Sequence, residues 1–210
     1  MKYLSLCPIA ALVVLSASLP RVASGQNGLT EVKIPSAPAN LQVPAGNVAF
    51  LKANAAGTQN YVCLPSSSGP KWTFQGPQAT LVVKFPWINS EGTWQVATHF
   101  LSSNPSEAGL ARPTWQSSHD TSTVWGKATA SSTDPKYVAP GAIPWLLVEA
   151  TGTQQGPMGG TALSQTTFIQ RVNTSGGVAP SEGCDESVYG KLALVPYTTD
   201  YYFYQSSGPK

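Results

Sequence analysis

The sequence is poor in charge, in histidine and in cysteine. Lys, Arg, Asp and Glu together make up 10% of its 210 residues, against about 25% in an average soluble protein. A chain so sparsely charged offers no basic footprint for nucleic acid. It also has no polybasic stretch to hold it on an anionic membrane. There are two histidines, His99 and His119, and they form no H-x-H or H-x-x-x-H pair. Spacing therefore gives no metal signature, although both with Asp120 or Asp200 stay open as a scattered ligand set. No metal and no cofactor is expected. No segment carries a sustained, capped 3.6-residue apolar period, which argues against helical bundles and doubly wound sheets. Beyond the first residues, no apolar run approaches the roughly 20 needed for a membrane helix.

Those first residues read "MKYLSLCPIAALVVLSASLPRVASGQ". Lys2 supplies the positive start, Tyr3 to Leu15 the short apolar stretch, and Ala23 and Gly25 the small residues before a cleavage site. This is the pattern of a secretory signal peptide over residues 1–25. A transmembrane anchor is the alternative, and Pro20 interrupts it. Cleavage would make Gln26 the N-terminus. It would also remove Lys2 and Arg21 but no acid, so the 12 basic and 10 acidic residues become equal in number. The protein is expected to be secreted and extracellular, without a membrane anchor once processed.

Of three cysteines, Cys7 lies in the leader. Cys63 and Cys184 remain, an even count in an oxidising compartment, and the simplest reading is one disulfide. Two separate thiols or a metal pair are the alternatives.

Turn residues then divide the chain into short stretches of strand character. Residues 26–40 form an irregular N-terminal segment, with Pro35 and Pro38 opposing helix. From 41 to 210 a single β-rich domain is expected. Residues 47–55 and 58–64 read as a hairpin about Gly57. Residues 71–75 and 79–85 read as strands parted by Gly76-Pro77. "GTWQVATHFL" (92–101) is a strand, and the stretch from Leu101 to Trp115 a long surface loop with a short helix near 104–111. "PTWQSS" and "STVWGKATAS" flank a His119-Asp120 turn. "PWLLVEATG", "TTFIQRVNT", "YGKLALVPY" and "DYYFYQ" supply the remaining strands. The fold class is all-β, a single-domain sandwich or barrel-like fold with long loops.

"LQVPAG", "YVCLP", "KWTF", "THF", "PTW", "IPWLLVEATG", "FIQRVNTSGGVAP", "GC" and "VPYTTDYYFY" occur in this order. The ordered set resembles the DUF3455 family of secreted bacterial and fungal proteins, across about residues 41–204. The resemblance implies an extracytoplasmic β-rich domain and no settled activity. Some members carry a malate dehydrogenase label. A dinucleotide site needs a glycine turn opening a helix. The nearest stretch, "LLVEATGTQQGPMGG", lacks the G-x-G-x-x-G spacing and is broken by Pro157, so that activity is not expected.

Two functional classes follow. The first is a non-catalytic binding or surface protein, its partner an extracellular glycan or other cell-wall component. Sugars stack on exposed aromatic rings, and Trp115, Trp125 and Tyr202 are the candidates, while Trp72, Trp94 and Trp145 are assigned to the core. The second is a secreted hydrolase with its site near His99 or Glu149. No G-x-S-x-G elbow is present, and each candidate has a structural alternative. His99 can be a hydrogen-bonded core residue, and Glu149 can face outward or pair with Arg171.

The stretch Thr167–Cys184, "TFIQRVNTSGGVAPSEGC", reads as strand, turn and staple. Asn173-Thr174-Ser175 is an N-glycosylation sequon, Gly176-Gly177 makes the turn, and Cys184 reaches Cys63. Arg171 is the residue that scaffold leaves unexplained. The leader reading is checked by intact mass and N-terminal sequencing of the exported protein, which are expected to begin at Gln26.

Overall fold

The computed structural model describes residues 32–84 and 92–208; the segment read as a leader, 1–25, residues 26–31 and position 85 of the expected strand 79–85 lie outside the described residues. Eight strands follow one another in chain order. They are β1 (Asn47–Leu64), β2 (Lys71–Lys84), β3 (Thr93–Asn104), β4 (Leu110–Ser117), β5 (Thr123–Ser132), β6 (Trp145–Gln154), β7 (Thr166–Gly176) and β8 (Leu192–Ser206). Each pairs antiparallel with the next, and β8 returns to β1 to close a barrel. Closure removes the free edges that an open sheet would have to protect.

Side chains alternate between the two faces of a strand, and here both faces have apolar work. Inside, the small Ala53, Ala55, Ala79 and Ala97 cluster with the large Trp115, Tyr201 and Phe203. Small residues opposite large ones let rings fill an eight-stranded bore. Outside, Trp145, Tyr202 and Tyr204 are also buried, packed with Leu41 and Val138. The N-terminal segment and the β5–β6 connection cover that face. A short 3-10 turn, Ala39–Leu41, is tied down by Gln170 Nε2 donating to the Leu41 carbonyl at 2.6 Å.

Several turns expected from glycine and proline are not turns. Residues 47–64 form one strand, not a hairpin about Gly57. A Cβ there would stand 2.1 Å from the Gln78 carbonyl oxygen and 2.5 Å from Ala79 Cα, so this glycine permits close approach of β2. Residues 71–84 likewise form one strand. Gly76, with φ of 141°, sits where the β1–β2 register shifts between Asn60 and Tyr61, so the Gly76-Pro77 pair marks a bulge and not a break.

The long loop from Leu101 to Trp115 is a tight connection between extended strands. Its helix is the single 3-10 turn Pro105–Glu107, capped by Asn104 Oδ1 accepting from the Ser106 amide. Asn104 is fully buried and also bonds Glu107 and Thr151. That polar anchor, with the Arg112–Glu107 ion pair, shortens the loop. Trp94, assigned to the core, is 63% exposed, and Trp72 is half-buried with Nε1 donating to the Glu182 carbonyl. Trp145 is in the outer core as expected.

The His119-Asp120 pair does occupy the β4–β5 turn. The Asp120 carboxylate accepts from the Ser122 amide and hydroxyl and from the Ala162 amide, which joins this turn to the β6–β7 connection. These donors hold its carboxyl well below the usual carboxylate range, against the opposing effect of burial.

Cys63, near the end of β1, and Cys184, in the β7–β8 connection, form the expected disulfide, with Cα atoms 5.4 Å apart and a separation of 121 in sequence. Backbone hydrogen bonds from Cys63 to Lys191 and from Gly190 to Cys63 reinforce it. Replacing both cysteines by alanine is expected to lower the unfolding free energy by about 2–5 kcal/mol, read from the midpoint of urea unfolding against the oxidised protein.

Candidate functional site

An antiparallel barrel of this size is either filled by its own side chains or leaves room for one small ligand. In this one the middle is packed and a hollow remains towards either end. At the end where the disulfide lies, a pocket of about 280 Å³ enters the bore. Its apolar lining is Phe74 and Pro77 from β2, Pro113 from β4, and Ile143, Leu146 and Val148 from and before β6. Interleaved with these are Gln59, Tyr61, His99, Trp115, Arg171 and Tyr201.

The register explains the convergence. His99 on β3 lies opposite Trp115 on β4, and Arg171 on β7 lies between Leu146 on β6 and Tyr201 on β8. All take inward positions in the alternation. Gly126 on β5 makes room, since a Cβ there would meet Val148 Cγ1 at 2.5 Å and Trp115 Cζ3 at 3.4 Å.

His99 is 3% exposed. Its ring stacks on Trp115 at 4.2 Å with 9° between planes, and meets Tyr201 edge-on at 5.4 Å. Nδ1 lies 2.8 Å from the Thr114 carbonyl and must donate to it. In the neutral ring Nε2 is then an acceptor. Burial lowers its pKa to about 3; the Thr114 bond opposes this and the Arg171 charge adds to it. The imidazole therefore stays neutral.

Arg171 is half-buried and donates from Nε and Nη2 to the Pro144 carbonyl at 3.2 and 2.8 Å. A guanidinium has five N–H groups, so most of its donor capacity remains. Among the described residues it pairs with no carboxylate. Its charge reaches every titratable neighbour. Burial raises the pKa of Tyr61, Tyr197 and Tyr201, and Arg171 opposes burial at each.

Four buried polar atoms here make no hydrogen bond of good geometry: Gln59 Nε2, Trp115 Nε1, Tyr197 Oη and Tyr201 Oη. Tyr197 lies within reach of both Gln59 and Tyr201, and Tyr201 within reach of Arg171, so these groups are under-satisfied and not isolated. An unsatisfied buried group costs about 1–3 kcal/mol. Gln59, Trp115 and Tyr201 line the cavity, and several under-satisfied groups around one cavity mark a place suited to an outside partner.

The pocket gathers three of the residues singled out in the sequence, His99, Trp115 and Arg171. It leaves out the others. Trp125 is 6% exposed on the opposite face of β5, its Nε1 donating to Ser102 Oγ at 2.8 Å. Tyr202 is buried under the outer cover. With Trp115 also buried, at 1% exposed, these three rings form no exposed row; they are packed into the barrel, while Trp94 and Phe74 are exposed large rings. Glu149 is exposed on the outside of β6, across from Lys127 and Phe168, so no Glu149–Arg171 pair forms. Asn173 is exposed at a bulge in β7 with φ of 53°, its Nδ2 donating to Asp200 Oδ2 at 3.0 Å. Gln59, Tyr61 and Tyr197 were not singled out by the sequence as site residues. The "DYYFY" tyrosines were, but Tyr202 was preferred where Tyr201 is the one that lines the pocket.

A family profile described as "Protein of unknown function (DUF3455)" matches residues 44–205. The chain belongs to the DUF3455 family. Neither the comparison with curated proteins nor that with solved structures returned a match. The matched span begins before β1 and ends within β8, so it takes in every strand of the barrel and all of the pocket. For this DUF3455 chain the dehydrogenase reading has no structural footing. Gly152 lies within β6 and Gly156–Gly160 in the turn after it, and no helix N-terminus follows to receive a pyrophosphate. Among the described residues no three His, Cys, Asp or Glu side chains gather as a metal site.

The neutral state of His99 has a measurable sign. A folded-state pKa near 3, below the usual value of about 6.5, means that only the unfolded chain takes up this proton between those limits. His99 thus contributes stability that is present above about pH 6.5 and declines as pH falls towards 3. Its ring resonances in two-dimensional NMR are expected to keep neutral-imidazole shifts from pH 8 to pH 5. A titration in that interval would remove the buried, Thr114-bonded assignment.

Proposed function

We propose that this protein is a secreted, non-catalytic carrier or sensor that binds a small molecule in the barrel pocket. The observation that carries the reading is the cluster of under-satisfied polar groups around Arg171 inside a preformed hollow whose remaining lining is apolar. Ligand pockets have this composition, apolar walls with a few converging polar groups.

Secretion is supported by the leader pattern and by the disulfide, which suits an oxidising compartment. The outer surface supports a water-borne barrel over a membrane-spanning one. Lys52, Lys127, Glu149 and Asp200 sit on the outside of strands, and Lys52 and Asp200 pair there at 3.1 Å. A lipid-facing barrel needs an apolar outer band and a polar bore, and this arrangement is the reverse.

Catalysis has less support. No Ser, Thr, Cys, Asp or Glu side chain lines the pocket, so His99 has no nucleophile to activate and no acid to orient it. Polysaccharide binding loses its basis with the burial of Trp115, Trp125 and Tyr202. One face of Trp115 is already occupied by His99.

The test uses Ala128, which lines the pocket and points no polar group into it. Small aromatic probes, benzoate and benzamide among them, are expected to raise the melting temperature and quench tryptophan fluorescence. Ala128→Leu, which narrows the pocket from its exposed rim, is expected to weaken both effects with the unliganded melting temperature little changed. Binding undiminished by Ala128→Leu would place the ligand elsewhere and defeat the proposal.

A further inference from the structure

The chemistry of the wall narrows the ligand class, on the assumption that the pocket is a binding site at all. The polar groups are unbalanced. Arg171 retains most of its N–H groups after Pro144 is served. Gln59 Nε2 and Trp115 Nε1 can only donate, and both are buried without a hydrogen bond of good geometry. The Tyr197 and Tyr201 hydroxyls, near enough to Arg171 to feel its charge, can donate as well. Against these, the lining offers as acceptors His99 Nε2, the Gln59 amide oxygen and the phenol oxygens of Tyr61 and Tyr201, but no carboxylate, so the only formal charge in it is that of Arg171. A positively charged lining with free N–H donors is matched by a negatively charged group that accepts.

The apolar part of the lining argues against a bare inorganic anion as the intended occupant. Phe74, Pro77, Ile143 and Leu146 give an anion nothing to replace its hydration. They suit a flat apolar body instead. The volume, about 280 Å³, suits a ring with a short substituent and is too small for an oligosaccharide or a long acyl chain.

We infer that the ligand is a small organic carboxylate with a flat apolar body, its anionic group held by Arg171 with Tyr201 and its body against Phe74 and Leu146. Arg171 is the specificity-determining residue in this arrangement. A carboxylate accepts from a guanidinium through two parallel bonds, which a lysine at the same place does not reproduce.

Isothermal titration of the oxidised protein with benzoate and cinnamate, and with the neutral benzamide and cinnamamide, tests the inference. Inorganic phosphate is the third arm. The acids are expected to bind at least about tenfold more tightly than their amides, and phosphate not to compete. In Arg171→Gln the acid is expected to fall to the level of the amide while amide binding persists, and Arg171→Lys to recover only part of the preference. Tyr201→Phe is expected to weaken the acids alone and serves where Arg171 variants fold poorly. Amides binding as well as acids, or a preference that survives Arg171→Gln, would overturn the ligand class and leave a small-molecule pocket standing. Competition by phosphate would overturn the role of the apolar lining. If neither acids nor amides bind, the binding reading and this inference fall together.

Discussion

The pairing of β8 with β1 is the constraint on which everything else rests. Asn47 lies beside Ser206 at one end and Val62 beside Leu192 at the other, with one register shift near Ala49. The first strand and the last are thus bonded along almost their whole length. Such a pairing closes a very long loop before it returns any stabilisation. The disulfide acts on the same problem, because Cys63 ends β1 and Cys184 lies just before β8. The covalent link and the closing ladder bring together the same two parts of the chain.

Closure sets the width of the bore, and the width sets what can fill it. Eight strands leave an interior that side chains almost fill. Around Leu81 and Phe203, apolar side chains complete the packing. Nearer the disulfide end, the inward positions of β7 and β8 are Arg171, Tyr197 and Tyr201, and β1 supplies Gln59. A sequence selected for stability alone would have continued the apolar filling, since an unpaired polar group there costs more than a methyl group gains. Local disagreement with the packing rule of an otherwise consistent barrel is the usual mark of a functional place.

The sequence made the β class, the disulfide and the His119-Asp120 turn legible, because each depends on local residue type, but it divided β1, β2 and β8 into two stretches each. Where it misled, the cause was non-local. Gly57 and Gly76 look like turns to a reader of local preference. Only the presence of β2 against β1, or of Leu101 near Gly76, shows that the missing Cβ serves close packing. The β3–β4 connection looked long because Asn104, a polar residue, gives no hint that it is fully buried and bonded to Thr151 on β6.

The site was half legible for a reason specific to strands. Along a strand, neighbours point to opposite sides, so an error of one position exchanges pocket for exterior. Arg171 stood out because a lone cation in an apolar strand needs an explanation, and it does face inward. Tyr202 was chosen from "DYYFY" where Tyr201 is the inward ring. Glu149 was chosen where its neighbour Val148 lines the pocket. Phase is decided by the outer cover. Trp145, Tyr202 and Tyr204 are as apolar as inward residues because Leu41 and Val138 shield them. A strand buried on both faces loses the polar-apolar alternation from which phase is read. The covered part of this barrel, β6 to β8, is also the part that holds Arg171 and Tyr201. The cover that hid the phase in the sequence also backs the strands that present them, and buried backing of this kind holds binding groups in position before a ligand arrives.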